Sequence, residues 1–79
     1  MYEAYLEVKI DKEHLPKLER ILREIWKVKN PVIHESKRGW IISFITTDNR
    51  KVYAFADVVK NYGGKILDLW IIPLQKGSD

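Results

Sequence analysis

Ile66-Leu67-Asp68-Leu69-Trp70-Ile71-Ile72 is the stretch whose reading decides how this chain folds. Side chains of a strand alternate between its two sides, so Leu67, Leu69 and Ile71 point one way and Ile66, Trp70 and Ile72 the other, with Asp68 among the second set. Both sides are apolar. One can form a core, and the other needs a cover or a partner. A chain of 79 residues makes about one small domain. At that size only about 60% of the unfolded surface is buried, and association with a second copy is a common remedy.

Working back from this strand, Gly63-Gly64 closes a helix in which Val52, Phe55, Ala56, Val59 and Tyr62 share one face, with Asp48 or Asn49 at its start. Before it, residues 32–36 and 40–47 read as two strands around Lys37-Arg38-Gly39, a hairpin turn with a glycine available. Asn30-Pro31 breaks what precedes, because proline disfavours helical geometry in the residue before it. From about 14 to 28 the spacing of Leu15, Leu18, Ile21, Leu22, Ile25 and Trp26 predicts one helical stripe, entered through Asp11 and with Pro16 in its first turn. Residues 2–10 alternate as a strand, with Tyr2, Ala4, Leu6, Val8 and Ile10 on one side and Glu3, Tyr5, Glu7 and Lys9 on the other. The expected domain covers residues 1–74, and 75–79 form a polar tail.

Strand, helix, strand, strand, helix, strand is therefore the order, and two right-handed crossovers of this order give an α+β, ferredoxin-like βαββαβ fold. It is a four-stranded antiparallel sheet with both helices on one face and the first and third strands in the centre. The other sheet face stays bare. With Leu6, Val8, Ile42, Phe44, Leu67, Leu69 and Ile71 under the helices, the bare face carries Tyr5, Glu7, Ile41, Ser43, Ile45, Ile66, Trp70 and Ile72. The third strand is apolar on both sides, so the opposite choice, with Trp40, Ile42 and Phe44 outside, stays open at this level. Either choice exposes hydrophobes, and such a patch marks an interface, for self-association or partner binding through this face or the neighbouring edge. Tyr5, Ile45, Ile66, Trp70 and Ile72 are the expected contact residues.

Charge is mixed, with 14 basic and 11 acidic residues and a formal net charge of +3. Glu13 with Lys17, Glu19 with Arg23 and Arg20 with Glu24 stand at helical pairing distance, a solvated face of a kind also common in heat-adapted proteins. Lys12, Lys37, Arg38 and Lys65 collect at one end of the inferred topology, and Lys27, Lys29, Arg50, Lys51 and Lys76 at the other. A nucleic-acid backbone groove would want one stripe.

Two resemblances bear on function. A sheet with aromatics on its bare face is similar to RNA-recognition modules, in which bases stack on the central strands. Arg38-Gly39-Trp40 resembles the opening of that family's third-strand motif, and Tyr5 stands where the first-strand motif has its aromatic. Two positions after Trp40 the family carries another aromatic, and this chain has Ile42. The resemblance implies single-stranded RNA stacked on Tyr5 and Trp40 and steered by Lys37 and Arg38. The chain as a whole resembles ACT-type regulatory domains, through Lys9-Ile10-Asp11 with Leu15, Leu18 and Ile21-Leu22, through Ile33-His34-Glu35-Ser36, and through Gly63-Gly64-Lys65-Ile66. That resemblance implies a pairing, regulatory domain. The glycine that lets an amino acid approach the backbone in that family is replaced here by Glu13-His14.

No catalytic signature is present. There is no cysteine and no glycine-rich phosphate loop, and Ser36 and Ser43 read as strand residues. Small acylphosphatases share the fold, but Asp11-Lys12-Glu13-His14 supplies neither their arginine nor their glycines. His14 and His34, with Asp11, Glu13 and Glu35, follow no metal-ligand spacing. The expectation is a non-enzymatic module without metal or cofactor, whose partner is a second copy of itself, a homodimer first. A small-molecule ligand and RNA are the alternatives. The absence of cysteine fits a reducing cytoplasm, residues 1–10 read as strand rather than secretory leader, and no apolar run approaches the roughly 20 residues that cross a bilayer.

Overall fold

The computed structural model describes residues 1–74, so the polar tail 75–79 lies outside the described residues. The chain runs through β1 (Tyr2–Lys9), a 3-10 turn (Lys12–His14), α1 (Leu15–Arg20), a π-helical turn (Ile21–Ile25), β2 (Lys29–Glu35), β3 (Trp40–Thr46), α2 (Arg50–Asn61) and β4 (Lys65–Pro73). The strands form one antiparallel sheet in the order β2-β3-β1-β4. This is the ferredoxin-like arrangement, with β1 and β3 central.

Strand pairing settles which side is core. Ala4 pairs with Phe44, Leu6 with Ile42 and Val8 with Trp40. Ala4, Leu6, Val8, Ile42 and Phe44 are buried against Leu15, Leu18 and Leu22 of the first helical segment and Val52, Phe55 and Val59 of α2. Phe55 joins the layers, its ring edge-on to Phe44 at 5.7 Å and to Trp26 at 5.8 Å. Trp40 lies on this helix-covered side too, against the margin of the core.

The first helix changes pitch along its length. Pro16 sits in the first turn of α1, where its missing N–H costs nothing. At the other end Trp26 N–H bonds to Ile21 O at 2.9 Å, a five-residue step. Such a turn rotates each residue by less than the about 100° of an α-helix, so the apolar stripe ends early. Ile25, expected in the stripe, is exposed, while Trp26, expected there too, packs against the core. Lys27 then takes φ 52° and ends the helix, and β2 opens at Lys29, before Asn30-Pro31 rather than after it. Asn30, at φ 51°, and Pro31 sit in an irregular stretch of this edge strand, where the register with β3 shifts between Lys29 and Val32.

At the start of α2 the Asp48 carboxylate, not the Asn49 side chain, accepts the Arg50 N–H at 3.0 Å. At the end Gly63 takes φ 81°, and Gly64 N–H bonds back to Val59 O at 3.0 Å, a left-handed helix stop.

One residue of β4 departs from simple alternation. Glu7 pairs with Asp68 but Val8 pairs with Ile66, so Leu67 is an extra residue, a bulge. The bulge reverses the parity of everything before it. Ile66, expected on the bare face, packs against the core, and Leu67, expected in the core, lies outside the core cluster. Beyond the bulge Leu69 and Ile71 pack against the core, and Trp70 and Ile72 are exposed.

Candidate functional site: the open face of the sheet

Three cross-strand rows build the open face. The middle row is Val32, Ser43, Tyr5 and Trp70, read from β2 to β4; Ile45, Glu3 and Ile72 lie on one side of it, and His34, Ile41, Glu7 and Asp68 on the other. Val32, Trp70 and Ile72 are 47%, 44% and 46% exposed, while Tyr5, Ile41 and Ile45 are half-buried beside them. Of the expected contact residues, Tyr5, Ile45, Trp70 and Ile72 therefore share this face and Ile66 does not.

Glu7 is the one carboxylate sunk into the centre of this face, only 8% exposed. A charge held that far from water needs partners, and the β2–β3 turn supplies them. Arg38 Nη2 donates to Glu7 Oε1 at 2.7 Å and Ser36 Oγ donates to Oε2 at 3.0 Å. Gly39 N–H donates in turn to Ser36 Oγ at 3.1 Å. Gly39 lies so close to β1 that a Cβ there would stand 2.1 Å from the Val8 carbonyl oxygen, so only glycine lets the turn fold against the strand. The hydrogen bond from Arg38, then that from Ser36, holds the Glu7 carboxyl below the usual carboxylate range, outweighing the opposing effect of desolvation. Glu7 pushes Arg38 the other way, with Asp68 adding a smaller pull. The Glu3 carboxylate on the same face raises the Tyr5 phenol.

Both free edges of the sheet are guarded. Leu74 N–H bonds to Met1 O at 2.8 Å, which sets the phase of the β1–β4 ladder and turns the N–H sides of Leu69, Ile71 and Pro73 outward. Pro73 has no N–H to offer, and that of Leu69 is bonded to Asp68 Oδ1 at 2.9 Å. On the opposite edge Pro31 and the register shift interrupt β2. These features hinder strand addition.

The residues anticipated for RNA stacking are not brought together. Val8 pairs with Trp40, so the indole is on the helix side and Tyr5 on the open side. Trp40 lines a surface groove of about 270 Å³ with Lys12, Leu15, Pro16, Glu19 and Ile33. Arg38 is engaged by Glu7, leaving Lys37 exposed at the turn. Near the first helix Asp11, Glu13 and His14 place donor atoms within 4.8 Å of one another, with the His14 ring tilted against Tyr62 at 5.5 Å; His34 stands apart, on β2.

Sequence reasoning overlooked Val32 and the Glu7–Arg38 pairing. Val32 was within reach: the Ser36–Gly39 turn fixes the hairpin register, and that register sets Val32 beside Ser43. Nothing in a linear sequence pairs Glu7 with Arg38, 31 positions away. Among the described residues no helix is long and apolar enough to cross a membrane. Compared with models of known protein families and with curated proteins, the sequence matches none.

Proposed function

We propose that this chain is a non-enzymatic binding or regulatory module that self-associates as a homodimer through the open face of its sheet. The observation that carries the reading is that exposed Val32, Trp70 and Ile72 share one sheet face with a carboxylate already paired to Arg38. Such a surface is apolar at its contact points and has its central charge satisfied, as the core of an interface requires. With a proline in each edge strand, the face rather than the edge is the surface offered to a partner. A pairing role also agrees with the resemblance to ACT-type domains. Separation of Tyr5 from Trp40 counts against base stacking on that pair.

Trp70→Asp tests the reading, because it places a charge in a desolvated contact. The wild-type protein is expected to scatter light as a dimer at high micromolar concentration and the variant as a monomer with an unchanged circular dichroism spectrum. A monomeric wild-type protein contradicts the proposal.

A further inference from the structure

We infer that the two copies meet about a two-fold axis parallel to the strands, so that β2 of each copy lies over β4 of the other and β1 over β3. This rests on the self-association reading and specifies its geometry. Packed sheets stand about 10 Å apart with strands about 30° from alignment, which leaves two aligned ways to lay this face on itself: with the axis along the strands or across them.

Along the strands, an exact two-fold keeps each cross-strand row opposite itself and reverses its order. The row Val32, Ser43, Tyr5, Trp70 then meets its own reverse. Trp70 covers Val32, so the two exposed apolar ends of the row bury each other. Tyr5 lies over Ser43, a large ring against the smallest side chain of the face. In the neighbouring row Asp68 lies over His34, an acceptor over an imidazole that has an N–H to donate. Glu7, closed off by its own Arg38 and Ser36, faces Ile41 with its charge already satisfied.

Across the strands, like meets like. Ser43 faces Ser43 and leaves a void between sheets held apart by Trp70 on Trp70 and Tyr5 on Tyr5. The outer rows exchange, which sets the Glu3 carboxylate against Glu7, and His34 beside Lys29. That unfilled space disfavours this arrangement.

A chain without cysteine allows a direct test by single-cysteine variants. His34→Cys and Asp68→Cys leave the apolar middle row intact. Mixed in equal amounts and treated with a short bismaleimide, they are expected to give covalent dimers in up to about half of the population, the share of mixed dimers. Each variant alone is expected to give few, and the double variant many. A dimer in which mixing gives no more cross-linking than either single variant alone overturns the strand-parallel axis while leaving the dimer standing; a monomeric wild-type protein overturns both. A charge exchange reads the same contact without a cross-linker. Asp68→Lys is expected to weaken dimerisation about tenfold and His34→Glu in the same chain to restore most of it. Within one copy these residues are three strands apart, about 14 Å, so rescue reports contact between copies. Absence of rescue contradicts the geometry.

Discussion

The two faces of the sheet are cut from the same strands and spend their side chains differently. On the covered face, Leu6, Ile42 and Phe44 meet two helices and are fully or almost fully buried. On the open face Glu7 and Ser43 alternate with them in the same two strands, also buried but polar, and the most exposed apolar groups stand at the margins. The difference teaches that an uncovered sheet face is not a spare core. Its centre is tied down by a satisfied ion pair, and its most exposed hydrophobes, Val32, Trp70 and Ile72, stand on the two edge strands.

If that contrast holds, substitutions on the covered face act on folding. Phe55→Ala removes the ring that bridges Phe44 and Trp26 and is expected to cost about 3 to 5 kcal/mol in chemical denaturation. Gly39→Ala forces the turn off β1, against a carbonyl that has no room to yield; about 1 to 3 kcal/mol is expected from the overpacking, with the Glu7–Arg38 contact loosened. Trp70→Asp, on the open face, is expected to change the stability of the monomer by no more than about 0.5 kcal/mol while abolishing association. A loss of several kcal/mol there would show that Trp70 belongs to the fold and break the contrast.

The smallest effect sharpens it through pH. Glu7 titrates below its ordinary value of 4.5 in the folded protein, chiefly through Arg38. A depressed carboxylate contributes stability above its unfolded-state value and loses that contribution as pH falls through the folded-state value. Glu7→Gln is therefore expected to narrow the stability gap between neutral and acid solution in pH-dependent denaturation. Asp48 is lowered as well, by Arg50, so the variant keeps part of the wild-type acid sensitivity. An unchanged pH profile would mean that the ion pair does not hold the centre of the face.

Much of the fold was legible from local pattern. Strict alternation in residues 2–9, the hairpin around Gly39 and the Gly63-Gly64 stop each follow from one segment's own chemistry, and together they force the topology. What escaped depends on two segments at once. The Leu67 bulge exists only relative to β1, and without that register Ile66 reads as an open-face residue. Trp40 could not be assigned a side because its strand is apolar on both, until Val8 stood opposite it. The π turn takes Ile25 out of the expected stripe while Trp26 keeps its place against Phe55 of α2, a change of pitch that the spacing of apolar residues does not announce. The open face was legible as apolar, but its central ion pair was not.

The central claim is that the open face joins two copies of the chain, and sedimentation equilibrium of the wild-type protein and Trp70→Asp at high micromolar concentration tests it most directly. Twice the chain mass for the wild type and a single chain mass for the folded variant is the predicted result. A wild-type protein that sediments as a single chain, or a variant that remains a dimer, would contradict it.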